Sequence, residues 1–156
     1  MKIKILALGT RMPSWVQEGC NDYCQRIRPM QQLELVEIPL AKRGKTSDIS
    51  RVKAEEAGAI GKQLKGNEKL VVLDVRGKSF STPDLAGFIE SWQMDGRDVA
   101  IIIGGPDGLD ERFLSTAYAR LSLSKLTLPH PLARMVLIEQ IYRALAINAN
   151  HPYHRE

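Results

Sequence analysis

Five short apolar runs, each followed by a longer segment of helical period, constrain this 156-residue chain more than any other feature. The runs are Ile3 to Leu8, Leu33 to Ile38, Lys69 to Val75, Asp98 to Ile103 and Leu121 to Leu128; the helical segments are Pro13 to Ile27, Ser47 to Lys65, Thr82 to Met94, Asp110 to Ala119 and Pro131 to Asn148. Val71–Val75 and Val99–Ile103 lack the apolar-polar alternation of a half-exposed strand, so both of their faces must be covered. That predicts an α/β fold in one domain over residues 1–156, with a mainly parallel five-stranded sheet and helices on both faces. Pro13, Pro83 and Pro131 stand where a first helical turn tolerates a missing N–H. Gly66 and Gly96 fall just past helix ends.

The last helical segment is apolar nearly all round: Leu132, Met135, Val136, Leu137, Ile138, Ile141, Tyr142, Leu145 and Ile147 leave little polar face. A helix packed only on its own sheet carries a narrower stripe. A second copy of the chain is the expected cover, so a homodimer is predicted; the alternative is burial by other parts of the same chain.

Composition excludes more than it selects. With 44% hydrophobic and 26% charged residues the chain is an ordinary globular one. The apolar run at the N-terminus stops at Gly9 and Arg11, too short for a signal peptide, and no stretch approaches a membrane span. A cytoplasmic location without membrane contact is expected. Cys20 and Cys24 have no third cysteine to complete a cluster and are read as structural. The net charge of +4 permits a polyanionic partner. From Leu40 to Lys65 seven basic residues, Lys42, Arg43 and Lys45 among them, face only Asp48, Glu55 and Glu56. This is either a phosphate-contacting surface or a solvated helix face.

The common nucleotide motifs fail on spacing. Gly44-Lys45-Thr46 and Gly77-Lys78-Ser79 would need glycines at positions 39 and 72 to form a phosphate-cradling loop, where Pro39 and Val72 stand. The first strand ends with one glycine, Gly9, and lacks the dinucleotide fingerprint. No GxSxG nucleophile is present. His151 and His154 lack further ligands, so no metal is expected. The glycines come late instead, in Gly104-Gly-Pro-Asp-Gly108, followed by Leu121–Pro131. Loops so poor in polar side chains must grip a ligand by backbone groups, which suits a nucleoside-type pocket. The tail from His151 to Glu156 could stack on a base and hold phosphate, or be an idle end.

Four motifs carry a resemblance. Gly104–Gly108, Leu123-Ser-Lys-Leu-Thr-Leu-Pro-His-Pro131, Asn150–Glu156 and Ile38-Pro-Leu-Ala-Lys-Arg-Gly-Lys45 are similar, over the whole chain and in order, to those of the small bacterial SPOUT-class methyltransferases, the large-subunit rRNA methyltransferase H family. The resemblance implies an S-adenosylmethionine-dependent enzyme that methylates N3 of a pseudouridine in 23S rRNA of the assembled ribosome. It also implies a C-terminal trefoil knot and a homodimer. Cofactor contacts would fall at Leu73, Gly104, Leu123, Ser124, Lys125, Leu126, Thr127 and Leu128. Tyr153, His154 and Arg155 would position the substrate base on the partner subunit, and Lys42, Arg43 and Lys45 would hold rRNA backbone. The base that removes the N3 proton stays open among His130, His154 and Glu139, the last also able to pair with Arg143 one turn on. Two other classes remain: an rRNA-binding factor without chemistry, and a P-loop-like nucleotide hydrolase.

Overall fold

The computed structural model describes residues 1–155, so Glu156, the end of the tail considered above, lies outside the described residues. The strands are β1 (Ile3–Leu8), β2 (Leu33–Ile38), β3 (Lys69–Ser79), β4 (Val99–Ile103) and β5 (Ala119–Ser122). The helices are α1 (Ser14–Ile27), α2 (Ile49–Gly61), α3 (Thr82–Asp95), α4 (Glu111–Ser115) and α5 (His130–Asn148). One sheet runs in the order β2-β1-β4-β3-β5, and every pairing is parallel.

The doubly apolar strands are explained by two cores. Ile3, Ile5, Val99, Ile101 and Ile103 point to one side, among buried residues of α1, α3 and α5. Leu6, Leu8 and Ile102 point to the other, with Ile60 of α2 and Leu114 of α4. Successive residues of a strand thus enter different cores.

α5 departs from its expected setting. Leu137, Ile138, Ile141, Tyr142, Ala144, Leu145 and Ala146 are all buried within the one chain, where the helix packs on α1 and α3 as well as near the sheet. Its nearly all-round apolar surface is therefore accounted for largely by its own chain. Leu132, 39% exposed, and Trp15, 52% exposed, remain uncovered near the amino-terminal ends of α5 and α1.

Three boundaries differ from the sequence reading. The alternation of Leu121–Leu128 imitates a strand, yet β5 stops at Ser122. Beyond it, Ser122 Oγ donates to the Ser124 carbonyl at 3.0 Å and Ser124 Oγ accepts from Leu126 N–H at 2.9 Å. Side-chain hydroxyls there take the backbone partners that a ladder would use. The segment Asp110–Ala119 forms only the short α4, because the chain must enter β5 at Ala119. β3 runs past Val75 to Ser79 by a bulge: both Leu73 and Lys78 register with Leu121. At this crossing a Cβ on Gly77 would lie 2.7 Å from Leu121 backbone atoms, so only glycine fits. Gly77-Lys78-Ser79 is thus strand and crossing, and no phosphate-cradling turn forms there.

Candidate active site

In parallel sheets ligands collect at the carboxyl ends of strands, where neighbouring strands send their connections in opposite directions. Here that point lies between β1 and β4, since the chain goes from β1 to β2 on one side and from β4 to β5 on the other. A cavity of about 600 Å³ opens there. Its walls are Leu8 and Gly9 at the end of β1, Leu73–Arg76 in the irregular middle of β3, Ile103–Leu109 from the end of β4 onward and Ser122–Ser124 from the end of β5. Leu126, Leu128–His130 and Ala133 close it toward α5, while Leu40 and Lys53 approach from the other face.

Of the residues that the resemblance assigned to the cofactor, Leu73, Gly104, Leu123, Ser124, Leu126 and Leu128 line this cavity. Lys125 and Thr127 belong to the same loop but are not among its lining residues. Space, not φ, explains Gly104: a Cβ there would sit 3.0 Å from Leu109 Cγ.

Behind the cavity lies a residue that sequence reading passed over. Arg134, on α5, is 1% exposed. Its guanidinium donates to Glu37 Oε2 at 2.5 Å and to the Gly9 carbonyl at 2.9 Å, and it meets His130 Nε2 at 3.0 Å. Because the guanidinium can only donate, His130 Nε2 must accept. The imidazole proton then sits on Nδ1, which donates to the Gly104 carbonyl at 3.1 Å. Burial first, then the Arg134 charge, holds the His130 pKa below its ordinary value. His130 is accordingly a neutral strut between Arg134 and the glycine loop, and its one basic lone pair is occupied. An arginine inside the apolar stretch Leu132–Ile138 was the available signal, since such a charge survives burial only with partners.

The remaining base candidates cluster farther along α5. Glu139 pairs with Arg143 through two contacts, at 2.9 and 2.5 Å, and accepts from Tyr153 Oη at 3.0 Å. Gln140 donates to its other oxygen at 2.7 Å. The i,i+4 pair anticipated from sequence is present, but as part of a larger network. Tyr153 packs on Tyr142 at 4.6 Å between ring centroids, lies under the Arg143 guanidinium, and approaches Tyr23 Oη at 3.3 Å. Burial and these two hydrogen bonds raise its pKa well above the usual tyrosine range. His154 Nδ1 lies 3.5 Å from Arg143, and Arg155 is exposed.

The tail reaches this place by a sharp reversal. Asn150 takes a left-handed conformation, φ 53°, and His151 N–H bonds back to the Ala146 carbonyl at 2.8 Å. This is a Schellman stop with Asn where glycine usually stands. Within one chain, Tyr153, His154 and Arg155 do not line the cavity. Tyr142, the tail's support, is twelve residues beyond His130, about 18 Å along the helix.

The basic segment before α2 divides. Lys42 and Lys45 are exposed. Arg43 is turned inward, donating through Nε to Asp107 at 2.7 Å and placing a second nitrogen 2.7 Å from Glu56. That differs from the expectation of a free phosphate ligand. Gly44-Lys45-Thr46 lies in the irregular segment ahead of α2, whose cap is Asp48, so it is not joined directly to a helix as a P-loop is. Cys20 and Cys24 are free thiols; burial pushes Cys24 up to about 11 and also raises Cys20, which leaves both protonated and unreactive. Among the described residues no three His, Cys, Asp or Glu side chains gather as a metal site, and no helix is long and apolar enough to cross a membrane.

Comparison with known proteins agrees with this geometry. A family model described as "Predicted SPOUT methyltransferase" matches residues 1–154. The chain is 52% identical over 155 residues to the ribosomal RNA large subunit methyltransferase H of Saccharophagus degradans, covering 99% of this chain and 100% of that one. It is 50% identical over 158 residues to the protein of the same name from Acinetobacter baumannii strain ATCC 17978, covering 99% of each. Two solved structures share the fold at 16% identity. A probable methyltransferase from Bordetella pertussis Tohama I gives a TM-score of 0.58 over 92% of this chain and 94% of that one. A probable methylase family protein from Haemophilus influenzae Rd KW20 gives 0.54 over 99% and 70%. With one family model spanning residues 1–154 and about half of all positions identical to full-length relatives, this chain belongs to the SPOUT methyltransferases, in the ribosomal RNA large subunit methyltransferase H family.

Proposed function

We propose that this chain methylates N3 of a pseudouridine in the 23S rRNA of the assembled ribosome, with S-adenosylmethionine as methyl donor. The observation that carries the reading is the 52% identity, over essentially full length, to a ribosomal RNA large subunit methyltransferase. The cavity adds chemical support. Its size is that of a small-molecule site, and Leu8, Ile103, Leu109 and Leu114 offer an apolar floor for a purine. Gly104 and the 122–128 loop offer backbone groups for its polar edge. When bound, S-adenosylmethionine supplies an electrophilic methyl group carried on a sulfonium.

The chain's own residues bind and orient. Arg134, through His130 and Gly9, fixes two walls of the pocket that would hold the methyl donor, and such positioning supplies much of the rate in a displacement. The basic lone pair of His130 and the carboxylate of Glu139 are already engaged in the chain. That leaves His154 of the tail and solvent water to take the N3 proton.

The working form in this reading is a cytoplasmic homodimer that needs no metal. Tyr153, His154 and Arg155 of one subunit complete the substrate site of the other, and the exposed Trp15 and Leu132 supply apolar surface for the contact. Lys42 and Lys45 hold rRNA backbone, and Lys125 and Thr127 act through the backbone of their loop. A trefoil knot in the C-terminal part is carried over from the family to which the chain belongs.

Two measurements test the proposal. Calorimetry should detect S-adenosylmethionine binding, and mass spectrometry of 23S rRNA from a strain lacking the gene should find one pseudouridine methyl group missing. A chain that binds ribosomes but no S-adenosylmethionine would instead be a non-catalytic rRNA-binding factor.

A further inference from the structure

The segment Leu40–Ser47 joins β2 to α2 and has two sides. Lys42 and Lys45 face solvent. Inward, Leu40 lines the cavity, and its Cδ2 would lie 3.0 Å from a Cβ on Gly105. Between them Arg43 spends its guanidinium inside the protein. Nε donates to Asp107 at 2.7 Å, Nη1 to the Ala41 carbonyl at 3.0 Å, and Nη2 contacts Glu56 Oε1 at 2.7 Å. Glu56 is 1% exposed and also accepts from Ala41 N–H at 3.2 Å. Two carboxylates against one cation leave this cluster with a net charge of −1. A phosphate approaching Arg43 would meet Asp107 and Glu56 as well, which is unfavourable for an RNA contact. Asp107, in turn, belongs to the Gly104–Gly108 turn that forms one wall of the cavity.

We propose that Arg43 is a positioning residue for the cofactor loop: by bridging Glu56 of α2 and Asp107 of the glycine turn, it clamps the β2–α2 segment onto that turn instead of contacting RNA. The inference rests on the reading of the cavity as the S-adenosylmethionine pocket. It separates one basic cluster into two tasks, with Lys42 and Lys45 turned to phosphate and Arg43 to the methyl donor. Arginine suits the role because its planar fork can hold two carboxylates at once, which a lysine ammonium does with far less geometric control.

The test compares Asp107→Asn, Arg43→Lys, Arg43→Ala and the double variant Lys42→Ala/Lys45→Ala in the full-length protein. S-adenosylmethionine affinity is read by calorimetry, and ribosome binding by its dependence on salt. Asp107→Asn keeps the buried Arg43–Glu56 pair intact and so remains informative should Arg43→Ala fail to fold. Losing a charged hydrogen bond at the loop should weaken S-adenosylmethionine by about tenfold in Asp107→Asn and Arg43→Lys, with the salt slope unchanged. The double lysine variant should do the reverse, keeping cofactor affinity while the slope falls by roughly 0.7–0.9 for each phosphate that is no longer neutralised. Wild-type cofactor affinity in both Asp107→Asn and Arg43→Lys would overturn the clamp, as would a reduced salt slope in the Arg43 variants. Absence of S-adenosylmethionine binding in the unmodified protein would instead remove the pocket reading on which the clamp depends.

Discussion

At the amino-terminal end of α5 a buried guanidinium, Arg134, organises the pocket; farther along the same helix a quarter-exposed one, Arg143, organises the tail. Both pair with a glutamate, Glu37 and Glu139 respectively, at 2.5 Å. Their surroundings separate them. The Arg134 side chain is 2% exposed and its partners lie on the ends of β1 and β2 and the first turn of α5, so it ties distant parts of the fold into one rigid wall. Arg143 is 25% exposed, pairs within its own helix, and covers Tyr153 of a tail held by one reversal, one ring contact with Tyr142 and the Tyr153–Glu139 hydrogen bond. A buried ion pair is costly to break because the surviving charge has no water. The Arg143–Glu139 pair, 25% and 18% exposed, keeps some contact with water at both charges and loses less. One end of α5 is thus built to be immovable, and the other to hold a terminal segment whose neighbour can be another molecule.

The largest expected effect breaks the pocket itself. In Gly104→Val the new side chain meets Leu109 and the cavity wall, so S-adenosylmethionine binding should vanish in calorimetry while sedimentation and circular dichroism match the parent. Retained micromolar binding would mean that the cofactor lies elsewhere.

Deleting Pro152–Glu156 tests the other end. Cofactor affinity and oligomeric state should persist, because the tail does not line the cavity. Methylation of intact ribosomes at saturating cofactor should fall by roughly a hundredfold, the scale of lost substrate positioning. Lower salt should not rescue it, since low salt strengthens backbone attraction but restores no base contact. Near-normal turnover would reduce the tail to a solvated end.

A matched pair of charge removals sharpens the comparison. Glu37→Gln leaves the Arg134 cation buried and should cost about 3 kcal/mol in urea unfolding, whereas Glu139→Gln, which leaves a partly hydrated Arg143, should cost less, about 1–2 kcal/mol. Arg134→Met, which removes the buried charge, should destabilise less than Glu37→Gln because the stranded Glu37 is 38% exposed and can hydrate. Equal losses at Glu37 and Glu139 would show that burial does not distinguish the two ends.

The smallest effect is a pH slope. His130 has a folded pKa below its ordinary 6.5, through burial and then the Arg134 charge. The unfolded imidazole therefore binds a proton more readily than the folded one. The stability it contributes is present above about 6.5 and is lost as pH falls through the window between that value and the lower folded one. His130→Asn should flatten the fall in urea midpoint across that window relative to the parent. An unchanged slope would place the titration in other groups.

Much of this molecule is legible in its sequence because the signals are local. Strands without alternation, such as Val99–Ile103, require cover on both faces, and the two cores supply it. Asn150 past the last helix suits a left-handed stop. The glycines at 104 and 105, with a loop poor in polar side chains after Leu121, pointed to a pocket at this place, and six of the eight residues drawn from the family resemblance line one cavity. Other features depend on what a residue meets across space. The alternating Leu121–Leu128 carries a strand's period, but hydroxyls of Ser122 and Ser124 divert its backbone bonds, and no local pattern reveals that competition. Arg43 read as a phosphate contact, and Arg134 drew no reading, because a sequence does not say which carboxylate will stand opposite. Glu56, Asp107 and Glu37 are 13, 64 and 97 positions away, and only the packed chain brings them within reach. The sequence alone determined the kinds of element and the chemical character of the pocket, since these follow from periodicity and from what glycine permits. The tertiary structure decided strand order, the burial of α5 and the partners of its charges, because each is set by contacts between segments far apart in the chain.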